Sequence, residues 1–335
     1  MKIAVDAMGG DDAPEVVVRG SLEAASKFGI HVILVGHEAV LTKLLGAHAA
    51  SDRISIHHCE DAVAMGESPL KALRKKKDSS IRVAFRLVKE GQADAVISAG
   101  NSGATLAAGV LVLGRIKGVD RPAIASIIPT EKGPVILIDA GANVDCRPAQ
   151  LFQFGVMAHA FGSSCLNMNN PEIALLNIGE EGGKGNELVR FTYDLFEKST
   201  LNFVGNIEGR DLLKGDVEIV VCDGFVGNVV LKSTEGAVES MARLMKRELM
   251  SSFLGRIAFI LGRKAFFRFE RELSYEEYGG APLLGIKGIG MVCHGGSSAK
   301  AIRNAIHMAA QYAQNQTVEK MSLQLESYNL ERGLS

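Results

Sequence analysis

Residues 98–104, Ser98-Ala99-Gly100-Asn101-Ser102-Gly103-Ala104, form a polar, glycine-rich turn between two apolar runs, 95–97 before it and 104–113 after it. The first run reads as a buried strand, and the second is long enough for a helix with Ser102 near its cap. A strand-to-helix junction of this kind aims free backbone N–H groups at one point with the helix dipole behind them, which suits an anion. Similar junctions recur at residues 139–143, 177–186, 222–228 and 293–298. If the strands share a sheet, these turns collect along one edge.

The flanking chain fits such a sheet. Strand 2–5 runs into Asp6-Ala7-Met8-Gly9-Gly10-Asp11-Asp12-Ala13-Pro14, and Pro14 sits at a helix start with apolar positions continuing to Phe28. Strand 31–35, helix 38–45 and strand 54–58 follow. Beyond the central turn come strands 123–128 and 135–138, paired across the turn signals of Thr130-Glu131-Lys132-Gly133-Pro134. Helix 151–161, strand 172–178, helix 186–198, strand 217–222 and a helix from Val229 to about Met250 continue the series. Strand 290–293 and a helix from Ser297 to about Met321 close it. Such alternation predicts a three-layer α/β/α fold with a largely parallel sheet. Two lobes are expected: 1–150 with 286–335, and 151–285, because the Cys293-His294-Gly295-Gly296 turn needs neighbours at the first lobe's sheet edge.

A chain of 335 residues with 47% hydrophobic and 22% charged residues is an ordinary globular protein with a large core. Its formal net charge of −1 gives no global field to draw it to nucleic acid, so none is expected as a partner. The N-terminus carries no signal-peptide core and no apolar run approaches eighteen residues, which predicts a cytoplasmic protein. Cys59, Cys146, Cys165, Cys222 and Cys293 are scattered and odd in number, as reduced thiols are. His57-His58-Cys59-Glu60 lies on a strand whose neighbours face opposite ways, so no metal site is expected there.

Two segments carry unusual charge. Between 68 and 89, Lys71, Arg74, Lys75, Lys76, Lys77, Arg82, Arg86 and Lys89 face a single acid, Asp78: either a solvated helical face or a docking surface for an acidic partner. Between 246 and 271, Lys246, Arg247, Arg256, Arg263, Lys264, Arg268 and Arg271 stand against Glu248 and Glu270. Phe253, Phe259, Phe266, Phe267 and Phe269 fall in the same window, and Gly255 and Gly262 are placed to break or bend it. Aromatic bulk with a cationic edge describes an interfacial helical segment, with Phe253, Leu254, Ile257, Phe259, Ile260 and Leu261 as membrane contacts. A homodimer interface or an acyl-chain receptor reads equally from the same residues. The Gly182-Gly183-Lys184-Gly185 loop lacks the GxxxxGK[ST] spacing and is no nucleotide P-loop.

Taken together and in order, blocks 6–14, 98–104, 139–143, 177–181, 222–228 and 293–298 closely resemble the phosphate acyltransferases of bacterial phospholipid synthesis. The resemblance implies transfer of a long-chain acyl group from acyl carrier protein to inorganic phosphate, giving acyl phosphate without a cofactor. It also implies a fold similar to phosphotransacetylase and isopropylmalate dehydrogenase, a homodimer and loose association with the inner face of the cell membrane. A membrane-bound glycerol-3-phosphate acyltransferase becomes an expected partner. Acyl carrier proteins are acidic, so the 71–89 surface, with Lys71, Arg74, Lys75 and Lys76 as candidate docking residues, and the basic 246–271 segment compete as the docking site.

The residues suit that chemistry. Phosphate, with a second pKa of about 6, is already partly dianionic, and a thiol leaving group has a pKa of about 8.5. Positioning and electrostatics are therefore enough, and no protein nucleophile is needed. Gly100, Asn101, Ser102, Gly103, Asn143 and Gly183 are the candidate phosphate binders, and Lys184, between two glycines, is the candidate charge neutraliser. Asn228 joins them as a turn amide, while Asp223 either orients Asn228 or Lys184 or stabilises its own turn. His294 is placed to protonate the departing thiolate or to serve the strand end. Two other readings are a nicotinamide-dependent decarboxylating dehydrogenase of the same fold group and a non-catalytic membrane-surface scaffold. The first lacks a GxGxxG, and the second leaves the polar turns unexplained.

Overall fold

The computed structural model describes residues 1–272 and 275–331. Its strands are β1 (Lys2–Asp6), β2 (His31–Gly36), β3 (Ile54–His58), β4 (Ala95–Ser98), β5 (Ala123–Pro129), β6 (Pro134–Ile138), β7 (Ile173–Asn177), β8 (Phe203–Glu208), β9 (Ile219–Val221), β10 (Ala281–Leu284) and β11 (Ile289–Val292). The helices are α1 (Glu15–Phe28), α2 (Glu38–Leu45), α3 (Pro69–Lys75), α4 (Ser80–Lys89), α5 (Ser102–Val112), α6 (Pro148–Cys165), α7 (Glu187–Glu197), α8 (Gly224–Ser251), α9 (Phe253–Glu272), α10 (Ala299–Gln314) and α11 (Thr317–Glu331). All strands join one sheet in the order β3-β2-β1-β4-β11-β10-β5-β6-β9-β7-β8.

The sheet is covered on both faces because its strands are apolar in both phases. Ile3, Val5, Ala95 and Ile97 enter one buried cluster with α1, α6 and α10, while Ala4 and Val96 enter a second with α3, α4 and α5. Alternate residues of a strand point to opposite faces, so this division is the period-two geometry of the sheet made visible. Burying one Ile or Leu contributes roughly 1.5–3 kcal/mol, and Ile97 at the strand centre is fully buried. The expected α/β/α layering with a mostly parallel sheet is therefore present.

Strand direction corrects one expectation. β1, β2, β3, β4 and β11 are mutually parallel, as are β6, β9, β7 and β8, but β5 and β6 pair antiparallel, and β10 is antiparallel to both β11 and β5. The carboxyl ends of β1, β4 and β11 thus lie at one edge, and those of β6, β9 and β7 at the opposite edge. The glycine turns form two groups, not one row.

Several local expectations also shift. β11, the last strand, lies beside β4, and β6 pairs with β9. The single C-terminal helix is two, α10 and α11, broken where Gln316 takes φ of 54°. The long amphipathic segment is a hairpin of α8 and α9 that turns at Ser252. Gly255 is required there, since a Cβ would lie 2.2 Å from the Leu249 carbonyl oxygen, whereas Gly262 sits inside α9 in open space. The side chains of Phe267, Phe269, Glu270 and Arg271 lie outside the described residues.

Candidate active site

The first group of turns gathers around the start of α5. Asn101 is the N-cap there, displacing Ser102, which is the first helical residue: Asn101 Oδ1 accepts from the Ala104 amide at 3.0 Å. Both Nδ2 protons of Asn101 are engaged, with the carbonyl oxygens of Met65 at 2.8 Å and Glu67 at 3.1 Å. Asn101 is thereby both cap and strap for the 65–67 loop, which fits the cap reading open to it beside the phosphate reading. Gly100 is buried against Gly9, whose Cβ, if present, would lie 2.8 Å from the Gly100 nitrogen. Among the described residues the amides of Ser102 and Gly103 have no hydrogen-bond partner, and the Ser102 side chain is exposed. These open amides, with the exposed Ser102 hydroxyl beside them, are the groups a helix start of this kind can offer an anion.

Neighbouring loops complete the rim. Asp11 donates its amide to the Gly295 carbonyl at 2.9 Å, and the Gly296 amide donates to His294 Nδ1 at 3.1 Å, so His294 belongs to this edge. α3 packs directly on the turn, because a Cβ at Gly103 would meet Pro69 Cγ at 2.8 Å. Lys71, Arg74 and Lys75 on that helix are exposed. Lys76 departs from the expected docking set: its ammonium reaches the Ala62 carbonyl at 2.7 Å and Glu67 Oε1 at 2.5 Å, holding the Glu67 carboxyl below its ordinary value.

The second group is built on Asp139, fully buried at the end of β6. Its Oδ1 accepts from the amides of Ile124 and Ala142, both at 3.0 Å, and of Gly141 at 3.3 Å; Oδ2 accepts from Asn143 N at 2.6 Å and Asn143 Nδ2 at 2.8 Å. The other Nδ2 proton of Asn143 goes to the Pro122 carbonyl at 2.8 Å, so both protons of this candidate phosphate donor are engaged within the chain. Burial pushes the Asp139 carboxyl upward against the pull of these hydrogen bonds. α8 begins against this turn through Gly224 and Gly227, which present no side chain to it.

The first amides of α8 are all engaged. Gly224 donates to the Asn143 carbonyl, Phe225 and Val226 to Asp223 Oδ1, and Gly227 to the Asp223 carbonyl. Of the two roles open to Asp223, stabilising its own turn is the one its geometry serves. Asn228 is exposed beside Gly141. Lys184 and Gly183 lie in a third loop, after β7, where Asn177 Nδ2 donates to the Lys184 carbonyl at 3.1 Å. Lys184 is exposed, and a Cβ on Gly183 would meet nothing within 4 Å. Among the described residues no hydrogen bond joins Lys184, Asn143 or Asn228 to the α5 turn. The edges are linked instead by apolar packing, with Ala104, Ala108 and Ala140 in one buried cluster and Ala142 and Leu231 against it.

The chain matches the fatty acid synthesis protein family over residues 1–320. It belongs to that family. A phosphate acyltransferase of Geotalea daltonii is 51% identical over 332 residues, covering 98% of this chain and 96% of the relative. One from Nitratidesulfovibrio vulgaris is 52% identical over 321 residues, covering 95% and 93%. With such relatives the chain is an acyltransferase. Its fold is that of a phosphotransacetylase from Streptococcus pyogenes, at TM-score 0.61, 18% identity and coverage of 95% of this chain and 94% of that one. A 4-hydroxythreonine-4-phosphate dehydrogenase from Klebsiella pneumoniae shares it at TM-score 0.53 and 15% identity, covering 94% and 98%. Among the described residues no three His, Cys, Asp or Glu side chains gather as a metal site, and no helix is long and apolar enough to cross a membrane.

Two buried carboxylates that organise the turns of this chain, Asp6 and Asp139, are missing from the residues singled out by sequence. Their signal was available: an apolar strand followed by Asp-Ala and then glycine occurs at both places, Asp6-Ala7-Met8-Gly9 and Asp139-Ala140-Gly141.

Proposed function

We propose that the protein transfers a long-chain acyl group from the thioester of an acyl carrier protein to inorganic phosphate. A phosphate oxygen attacks the thioester carbonyl carbon, the carbon–sulfur bond breaks, the thiolate takes a proton, and an acyl phosphate remains. The observation that carries this reading is the start of α5, where the open amides of Ser102 and Gly103 stand beside the exposed cations of α3. The amides supply an anion site, and the basic helix packed on it suits an acidic carrier that must deliver its thioester there. His294, on the same edge, is the proton donor in this reading, and the apolar seam of α5 with Ala142 and Leu231 suits the acyl chain.

A second reading seats the phosphate at the 179–185 loop, where Lys184 stands exposed among glycines at the opposite edge, with Asn228 exposed on α8. Pure protein incubated with palmitoyl-carrier should release free thiol only when phosphate is added. Thiol release without phosphate refutes the function. Lys184→Ala with a phosphate KM near wild type favours the α5 site; a KM raised by about tenfold moves the phosphate to the lysine loop.

The hairpin of α8 and α9 is proposed to meet both a second copy of the chain and the inner face of the membrane. Phe253 and Leu254 at its tip, and Ile260 and Leu261 about two turns along α9, are each at least 70% exposed. An apolar tip flanked by Arg256 and Arg263 fits an anionic lipid surface. Such a location places a labile acyl phosphate near a membrane-bound acyltransferase that consumes it.

A further inference from the structure

The open amides of the α5 turn point outward only if the peptide planes before them are fixed, and the fixing is done from below. The Gly100 amide donates inward to Ser98 Oγ at 3.1 Å, and the Ser98 hydroxyl donates its single proton to Asp6 Oδ2 at 2.7 Å. Ser98 is fully buried and Asp6 nearly so. The two stand side by side in register at the ends of β4 and β1. Asp6 is anchored in turn by the Met8 amide at 3.3 Å on Oδ1, and by the Ser80 side chain and the Gly9 backbone. From above, Gly9 closes on Gly100 so tightly that a Cβ on it would lie 2.6 Å from Asp6 Oδ2 and 2.8 Å from the Gly100 nitrogen.

From this arrangement we infer that Ser98 and Asp6 are positioning residues for phosphate, acting through the Gly100 peptide on the amides of Ser102 and Gly103. A hydroxyl has one proton to give. Burial pushes the Asp6 carboxyl above its ordinary value while the hydrogen bonds from Ser80, Ser98, Met8 and Gly9 pull it back down; in its ionised form it only accepts, fixes the direction of that proton and leaves the oxygen's lone pairs for the Gly100 amide. The inference rests on the reading that phosphate binds at the start of α5.

Charge and position oppose each other at Asp6, which makes the role separable. A buried carboxylate beneath an anion site repels the anion, so neutralising it would tighten phosphate binding if charge were its only effect. If position dominates, neutralising it weakens binding.

The test is phosphate-dependent thiol release by wild type, Ser98→Ala, Ser98→Thr and Asp6→Asn, with circular dichroism to confirm folding. Ser98→Ala and Asp6→Asn should raise the phosphate KM by about tenfold or more and leave the carrier KM within about twofold. Ser98→Thr keeps the hydroxyl and should return the phosphate KM to within about threefold of wild type. A folded Ser98→Ala with wild-type phosphate KM, a Ser98→Thr as impaired as Ser98→Ala, or an Asp6→Asn that binds phosphate more tightly overturns the inference. Hydrogen exchange on the wild type needs no variant to fold. Gly100 should stay protected with or without orthophosphate, while Ser102 and Gly103 become protected only with it. A Gly100 amide exchanging as fast as those two in phosphate-free buffer overturns the relay. Thiol release that ignores phosphate in the wild type refutes the function, and a Lys184→Ala phosphate KM raised about tenfold sinks the α5 reading; phosphate dependence that survives Ser98→Ala unchanged while Lys184→Ala also stays near wild type sinks only the relay.

Discussion

Replacing Gly227 by Ala tests how tightly α8 is seated on the Asp139 turn. A Cβ at this position would lie 1.9 Å from the Asp139 carbonyl oxygen and 3.0 Å from the carbonyl carbon and from Cys222 Sγ. Carbon atoms do not approach a carbonyl oxygen closer than about 3.0 Å, so the helix start must retreat by about 1.1 Å. Gly224, one turn earlier, is held by its amide on the Asn143 carbonyl at 2.7 Å, and a retreat along that line stretches the bond beyond reach. Overpacking costs about 1–3 kcal/mol and the broken buried hydrogen bond about 1–3 more. Against this, alanine in a helix gains up to about 1 kcal/mol over glycine. The steric terms win by about 1–5 kcal/mol, which in a chain of 335 residues lowers Tm by roughly 1–7 °C. Gly236 in the same helix is the control, because a Cβ there meets nothing within 4 Å. Gly236→Ala should melt at or above wild type, by differential scanning calorimetry of both proteins in one buffer. A Gly227→Ala protein as stable as Gly236→Ala would refute the close seating of α8.

Burial pushes the thiols of Cys59 and Cys293 to about 12 and that of Cys146 to about 11, with Cys222 also raised well above its ordinary value. Thiolate is scarce at neutral pH, so native alkylation should be slow and a folded variant with all cysteines replaced should keep turnover; acyl label trapped on one cysteine of the wild type would refute direct displacement. Desolvation raises the Asp139 pKa on folding, so its protonated form favours the native state. That contribution is fully present below the unfolded pKa of about 3.9 and is lost as pH rises through the higher folded value. The stability difference between wild type and Asp139→Asn should therefore fall with rising pH across this window, and a flat or rising difference in urea titrations would refute the burial argument. Leu254→Glu with Phe259→Glu should release the protein from anionic vesicles in flotation, and unchanged flotation counts against the lipid role of the hairpin.

The layering was legible because both phases of each central strand are apolar: Ala95, Val96 and Ile97 leave no solvent face. Strand direction was less so. The hairpin of residues 123–138 was readable from Thr130-Glu131-Lys132-Gly133-Pro134, and a hairpin reverses direction, so every later strand parallel to β6 delivers its turn to the other edge. Carrying that reversal forward would have divided the turns into two groups before any coordinates. β8 was missed because Phe203-Val204-Gly205-Asn206-Ile207-Glu208 is a half-exposed edge strand with glycine at φ of 108°. β10 was missed because it is short and holds a proline beside a long helical hairpin.

The asparagines show why the binding residues resist reading. Asn101, Asn143 and Asn186 all stand at strand-to-helix turns, where an asparagine serves either a ligand or the backbone. Which it serves depends on carbonyls brought from far along the chain: Met65 and Glu67 for Asn101, Pro122 for Asn143. Once those protons are engaged, the donors left at the α5 turn among the described residues are the amides of Ser102 and Gly103 and the exposed Ser102 hydroxyl. In the proposed reading, specificity for an anion comes from what keeps those amides uncovered and aligned, namely Gly9 against Gly100 and Ser98 on Asp6. It also comes from Gly103, whose missing side chain lets Pro69 bring the cations of α3 beside the turn. The glycines of the opening motif thus matter as contact points between segments: each marks a place where another part of the chain must come within a methyl group's width of the turn.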